Sequence, residues 1–277
     1  MATPDFGPPP PTSFTIAPSA DDIAFFRDNG YLVVERLTTD EELAWLRDVC
    51  AFIFDAARTG AGSPVDLAGG SGTAPHSLSQ AFFPELRFPQ LLQTAHHRNA
   101  RRYAAALLGV QATELSSWSH MLRKLPGGRA ALWHQDRAYW EPELDYHALG
   151  SWLPLQDTSI EMGAMQFIPG SHRRGLLPHR HADAPQHNNL VVAAAFDASA
   201  AVPCPLHAGG ATFHDALTLH FTAPNATDAP RLAYPIEFET RPRRRTAPLD
   251  MPWTLERRAL FPAAPLRYVA DGRVIEL

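Results

Sequence analysis

The stretch Trp133-His134-Gln135-Asp136-Arg137-Ala138-Tyr139-Trp140 decides how this chain is read. It carries a histidine and an aspartate two residues apart. In an extended strand, residues i and i+2 project to the same side. An imidazole nitrogen and a carboxylate oxygen so placed can reach one metal ion together. By itself His-x-Asp also fits a plain surface loop, so the pair needs company elsewhere in the chain.

A third ligand should lie far downstream, on a strand packed beside the first. Residues 213–238 offer His214 and His220. Leu219-His220-Phe221-Thr222-Ala223-Pro224-Asn225 is followed, one strand on, by Arg231 in Pro230-Arg231-Leu232. A guanidinium there can grip a dicarboxylate through two parallel hydrogen bonds. At the same offset from His214 stands Asn225. The spacing favours His220 as the ligand and leaves His214 as a supporting or core histidine. Two histidines and one carboxylate make up the facial triad of non-haem Fe(II) oxygenases.

Taken in order, Trp133-His134-Gln135-Asp136, Trp152, Phe167-Ile168-Pro169-Gly170-Ser171-His172, and His220 with Arg231 resemble the phytanoyl-CoA dioxygenase family. The similarity runs from about residue 23 to about residue 239. It implies a mostly β chain with flanking helices around a double-stranded β-helix, the jelly-roll or cupin-like core. It implies Fe(II), 2-oxoglutarate and dioxygen as cofactor and cosubstrates. His134, Asp136 and His220 would hold the iron. Arg231 would grip the far carboxylate of 2-oxoglutarate, with Thr222 beside it and Trp152 lining its pocket. The Pro-Gly-Ser-His motif would shape a turn, so that His172 is structural. Because a carboxylate stands at position 136, no place is left for a halide, and hydroxylation of an unactivated C–H bond is the default outcome. Desaturation and ring formation share its first step. The resemblance leaves the substrate open.

Composition agrees with a globular enzyme acting on a small molecule. Lys plus Arg number 24 against 29 Asp plus Glu, which argues against nucleic acid as the partner. No apolar run approaches the roughly 20 residues of a membrane span. Cys50 and Cys204 have no metal-site spacing and are too few for a disulfide scaffold, which fits a reducing cytoplasm. Residues 1–20, with four consecutive prolines from Pro8 to Pro11, read as an extended or disordered tail, and residues 21–277 as a single domain.

Helices are predicted over 23–28, from about 40 to 58, and over 86–108. The basic run His96, His97, Arg98, Arg101, Arg102 on the last reads as a solvated face. The glycine-rich residues 59–77 read as a loop and a candidate lid. From Glu114 the pattern alternates as in strands. Trp118, His120, Leu122 and Lys124 share one face, and Ser119, Met121 and Arg123 the other. Strands are also expected at 147–155, 189–195, 202–206 and 231–240, with a closing hairpin around Asp271-Gly272. His179, His181 and His187 read as a polar surface connection, and Arg243, Arg244 and Arg245 as a solvated strand end. Trp118, His120, Arg123, Arg137, Tyr139 and Trp140 are the candidate substrate wall. Two other classes fit the motifs less fully. Another metal-dependent cupin-like enzyme, an isomerase or a cofactor-free dioxygenase, needs the triad but not Arg231. A non-catalytic binding protein of this fold needs neither.

Overall fold

Local capping places the helices. Ser19 caps α1 (Ala20–Asn29): its hydroxyl accepts from the Asp22 amide while the Asp22 carboxylate accepts from the Ser19 amide. Gly30 ends α1 at φ 79°. A Cβ there would come within 2.3 Å of His172 Nδ1 and 2.5 Å of Thr218 Oγ1, so glycine is required twice over. The second helix, α2 (Asp40–Ala56), opens on Asp40, Glu41 and Glu42. Glu42 is fully buried, and its carboxylate accepts from the amides of Ala95 and His96 at 2.6 and 2.8 Å. It thereby satisfies the first amides of α3 (Ala95–Leu108) from a neighbouring helix. The helix predicted from residue 86 starts only at Ala95. Two short 3-10 turns, Pro84–Leu86 and Pro89–Gln93, precede it, because Pro89 has no N–H for a helical ladder.

The structure is a computed structural model and describes residues 6–56, 65–66, 77–182, 190–260 and 267–276. Around the helices run β1 (Tyr31–Val34), β2 (Val65–Asp66), β3 (Leu78–Phe82), β4 (Leu115–Lys124), β5 (Ala131–His134), β6 (Leu144–Asp145) and β7 (Ala148–Pro154). They are followed by β8 (Met165–Phe167), β9 (His179–His181), β10 (Leu190–Val192), β11 (Val202–Cys204), β12 (Ala211–Asp215), β13 (His220–Thr222) and β14 (Arg231–Thr240). The larger sheet has the order β1-β12-β7-β14-β4-β3-β2, and the smaller one β11-β8-β13-β5. All these pairs are antiparallel. The architecture is the expected jelly-roll, mostly β, with α2 and α3 on the flank of the larger sheet. The hairpin around Asp271-Gly272 also forms, with both residues at positive φ.

One face of the larger sheet packs on α2 and α3. Met121, Leu149, Phe213, Ile236 and Phe238 join Leu43, Leu46, Val49 and Tyr103 in one core. The opposite face lines a cavity between the sheets, with Trp118, His120 and Leu122 from β4 and Arg231, Pro235 and Glu237 from β14. A slip of one residue would exchange these faces. It would expose Met121, Ile236 and Phe238, each worth roughly 1.5–3 kcal/mol when buried. The helical core therefore fixes which side chains see the cavity.

Two expectations are corrected here. Residues 6–19 form no regular element, yet they are not a free tail. The Phe6 ring packs edge-on against Phe52 and Phe88 at 5.7 Å each, and Trp45 Nε1 donates to the Phe6 carbonyl at 3.1 Å. An extended Pro-rich backbone leaves its carbonyls free for such donors. Nor is the start of α3 a solvated face: His96 is wholly buried and His97 is 6% exposed. Residues 59–76, nearly all of the candidate lid, and His187 lie outside the described residues, apart from β2. Among the described residues, no helix is long and apolar enough to cross a membrane.

Burial pushes His96 and His97 down to about 3, and a helix N-terminus disfavours their charge as well. Between pH 6.5 and 3 the unfolded chain binds these protons and the folded chain does not. Stability therefore falls as pH drops, by roughly 1.4 kcal/mol per pH unit for each histidine. Neither ring nitrogen of His96 meets a side-chain partner among the described residues, and its ring lies edge-on to Tyr234 at 5.4 Å. We expect His96→Phe to flatten the acid limb of a urea-unfolding series between pH 6.5 and 4 and to change stability little at pH 8. An unchanged acid limb would show that His96 is protonated in the fold.

Candidate active site

The pairing of β5 with β13 sets His220 directly opposite His134, ring centroids 4.2 Å apart. Asp136 follows at the first turn past β5 and swings its carboxylate to the same point. Its Oδ1 lies 3.7 Å from His134 Nε2 and 3.5 Å from His220 Nε2. One ligand atom from each of the three residues falls within 4.8 Å of the others. Both imidazoles are oriented from behind: His134 Nδ1 meets the Leu132 carbonyl, and His220 Nδ1 the Thr218 carbonyl at 3.0 Å. With Nδ1–H donating backward, Nε2 keeps its lone pair for a metal. The second oxygen of Asp136, Oδ2, is held at 2.9 Å by His214 Nε2. His214 is thus in the supporting place, and His220 in the ligand place.

The charges suit a divalent cation. Burial alone would raise the Asp136 carboxyl, but the His220 charge and hydrogen bonds from His134, His214 and His220 hold it well below the usual range. Burial, then His220, lowers His134. The cluster is one anion with imidazoles able to ligate as neutral bases.

Backbone contacts around the ligands were not legible in the sequence. Gln135, between two ligands, is fully buried. Its side chain donates to the Gly175 and Leu217 carbonyls at 2.9 and 2.6 Å and accepts from the Leu177 amide at 2.8 Å. Its own amide donates to His179 Nε2 at 3.2 Å. His179 and His181 are therefore buried members of β9, a correction to the surface connection expected for them. Burial pushes His179 down to about 4, which keeps it the acceptor of that bond. Ser171 Oγ accepts from the Leu219 amide at 2.9 Å and so fixes the entry to His220, while His172 turns away to the Arg27 carbonyl.

At the other end of the cavity lies Arg231, 1% exposed. It donates to the Gly163 carbonyl at 2.6 Å and lies 5.3 Å from the Trp152 ring centroid. Its Nε is buried without a partner, and no acidic side chain pairs with it among the described residues. Burial pulls it down to about 10, so it stays charged. Lys124, opposite Arg231 in the ladder, donates to Thr222 Oγ1 at 2.8 Å and to the Ala223 carbonyl at 2.6 Å. Burial, then the Arg231 charge, pushes Lys124 down to about 5. Because the Thr222 hydroxyl accepts from Lys124, its own proton is free for an incoming anion. A buried, unpaired guanidinium calls for a carboxylate. Together with the triad, these residues fit iron and a dicarboxylate cosubstrate.

The cavity measures about 410 Å³. Trp118, His120, Tyr139 and Trp140 line it. Arg123 and Arg137, also read as substrate wall, do not. Arg123 is on the outer face, over the Phe54 ring and paired with Asp55 at 3.3 Å. Arg137 is buried and donates to the carbonyls of Trp140, Glu141 and Leu144, so it braces the turn that presents Tyr139 and Trp140. Gln80 and Glu237 line the cavity without having been singled out. Gln80 Nε2 pairs with His120 Nδ1, and burial pushes His120 down to about 4. For Glu237 a signal existed: it stands at an even offset from Arg231 on one strand, hence on its face.

Fold and site together define the class of double-stranded β-helix oxygenases that use iron and 2-oxoglutarate. Residues 26–233 match the family model described as phytanoyl-CoA dioxygenase (PhyH), and the chain belongs to that family. Among solved structures, EvdO2 from Micromonospora carbonacea var. aurantiaca complexed with 2-oxoglutarate superposes with a TM-score of 0.77 at 34% identity, covering 87% of this chain and 99% of that one. The epimerase SnoN in complex with Fe3+, alpha ketoglutarate and nogalamycin RO gives 0.63 at 25%, covering 79% and 82%. Phytanoyl-CoA dioxygenase domain-containing protein 1 of Mus musculus is 31% identical over 110 residues, 38% of each chain. The match spans about two fifths of the length of such curated relatives.

We expect His134→Ala, Asp136→Ala and His220→Ala each to abolish tight Fe(II) binding, measured by anaerobic titration. His214→Ala removes only the support of Oδ2 and should weaken binding by roughly 10–100-fold. His172→Ala should change it little. Loss of iron in His214→Ala together with retention in His220→Ala would reverse their roles.

Proposed function

We propose that this protein is an Fe(II)- and 2-oxoglutarate-dependent dioxygenase that hydroxylates an unactivated C–H bond of a small metabolite, with release of succinate and carbon dioxide. One observation carries the proposal: a three-ligand metal corner and a buried guanidinium with no acidic partner among the described residues face the two ends of one cavity. A metal-dependent isomerase or cofactor-free dioxygenase would have the first feature and leave Arg231 buried without purpose.

His134, Asp136 and His220 would hold iron from one side and leave its cavity side open. When bound there, iron and 2-oxoglutarate supply the oxidising power that activates dioxygen and functionalises the C–H bond. The rest falls to the chain. Arg231 and the Thr222 hydroxyl receive the far carboxylate, and Trp152 holds the guanidinium in place. A carboxylate on Arg231 offsets the charge that depresses Lys124, so Lys124 gains proton affinity as the cosubstrate enters. Tyr139 and Trp140, braced by Arg137, wall the cavity beside the metal corner and keep a substrate group against it. His214 holds the second oxygen of Asp136 and so fixes how its carboxylate meets the metal corner.

Succinate formation on adding Fe(II) and 2-oxoglutarate, followed against a panel of candidate metabolites, tests this function. Its absence with an iron-loaded protein would sink it. A sharper test concerns Arg231. Arg231→Met should fold and bind iron normally, while its 2-oxoglutarate affinity falls by about 2–4 kcal/mol, as when one partner of a buried charge pair is removed. Arg231→Lys should recover only part, since an ammonium lacks the planar fork. The charge-transfer absorbance of the anaerobic iron complex reports the titration. Unchanged affinity in Arg231→Met would assign the carboxylate to another residue.

A further inference from the structure

Glu237 stands in the middle of β14, in the stretch of ladder that pairs it with Gly150 on β7 and Trp118 on β4. It is 5% exposed and lines the cavity. Its carboxyl makes no hydrogen bond with the described residues, and Oε2 is completely buried without a partner. Leaving such a group unsatisfied costs about 1–3 kcal/mol, more when it is charged. The space beside it is preserved by the chain. A Cβ on Gly150 would come within 3.1 Å of Glu237 Oε1 and 2.9 Å of His214 Cε1. Gly150 also pairs with His214, whose ring holds Asp136. Although their strands are two apart in the sheet, the side chains of Glu237 and His214 both reach over Gly150, so the Glu237 carboxyl sits beside the histidine that braces the metal corner.

The surroundings limit what can sit on this carboxyl. Among the described residues, Arg231 is the only Lys or Arg side chain lining the cavity, and it is occupied at the other end by the cosubstrate in the function proposed above. An anionic substrate group beside Glu237 would find no other Lys or Arg side chain among the described residues that line the cavity. Burial first, then the charges of Asp136 and Glu239, raise Glu237 well above the usual carboxylate range. A neutral carboxyl offers one donor and one acceptor, which an alcohol matches and an ammonium does not. The lining also carries the apolar and aromatic side chains of Phe82, Phe83, Trp118, Tyr139 and Trp140, with the polar Gln80 and His120, already paired with each other, among them.

We propose that Glu237 is the substrate-anchoring residue of this cavity, and that it receives an uncharged hydroxyl group whose carbon skeleton lies against the aromatic wall. The class of substrate is thus a neutral, hydroxyl-bearing molecule with an apolar or ring face, and acyl-CoA thioesters and other anions are excluded at this end. The inference rests on the proposed function only for the occupant of Arg231.

Three matched probes test it: benzyl alcohol, benzylammonium and benzoate. Their binding to the unreactive Zn(II)–2-oxoglutarate complex can be read by saturation-transfer NMR, with no turnover. We expect the wild type to bind benzyl alcohol in preference to the other two. Glu237→Gln keeps a neutral donor and acceptor and should bind it within about threefold. Glu237→Met keeps the length but no hydrogen bond and should lose about tenfold, the equivalent of one such bond. Should the Met variant not fold, Glu237→Asp withdraws the carboxyl by one carbon and should weaken binding at least about threefold. Unchanged affinity in Glu237→Met, equal losses in the Gln and Met variants, a wild-type preference for benzylammonium or benzoate, or no benzyl alcohol binding at millimolar concentration would each overturn the proposal. Titration of the same wild-type sample with 2-oxoglutarate keeps the two ideas apart. If 2-oxoglutarate does not bind, the function fails, while the probe series on the Zn(II) protein alone still judges Glu237.

Discussion

The site depends on the antiparallel pairing of two short strands, β5 and β13. In that register His134 and His220 face each other across one ladder step, and Asp136, one turn further, closes the third side. The strands are only four and three residues long and carry few ladder bonds of their own. Their alignment is held by polar side chains: Ser171 on the Leu219 amide, Gln135 on three backbone groups, and His179 on the Gln135 amide. Each is buried and satisfied, so a shift of β5 against β13 would strand several buried polar groups at once.

A second constraint comes from the larger sheet. β14 is its central strand and carries residues for both purposes. Tyr234, Ile236 and Phe238 point to the helical core; Arg231, Pro235 and Glu237 point to the cavity. The pairing of β14 with β4 skips Tyr234 and Pro235. Pro235 has no N–H to give to a ladder, and central strands rarely tolerate it. Here the break falls opposite His120, in the wall of the cavity. The core side of the strand compensates, since Tyr234 and Ile236 are wholly buried.

The distribution of charge follows from these two constraints. The metal corner concentrates one anion among imidazoles. The far end holds a guanidinium and a depressed ammonium. Between them lies an aromatic wall with one raised carboxyl. Arg231 and Glu237, both in the cavity lining, each bury a polar atom, Nε and Oε2, that has no partner among the described residues. Native interiors seldom leave such groups unmatched, and both point to ligand chemistry instead of folding.

The sequence by itself determined the class of fold, the His-x-Asp pair, the distant His220 and the arginine one strand beyond. These are legible because strand alternation and motif order are local properties. The same alternation put Trp118, His120 and Lys124 on one face and Met121 and Arg123 on the other, which already bars Arg123 from a cavity lined by Trp118. Tertiary structure decided the rest. Arg137 follows a motif but is turned inward to its own carbonyls, because the turn after Asp136 needs donors. His96 and His97 sit in a basic run but are buried, because Glu42 on another helix draws their end of α3 into the core. Gln135, His179 and Glu237 carry no motif. The offset from Arg231 gave the face of Glu237, but the roles of all three come from partners, or from the lack of them among the described residues, far away in the chain, and no local pattern encodes such a distance.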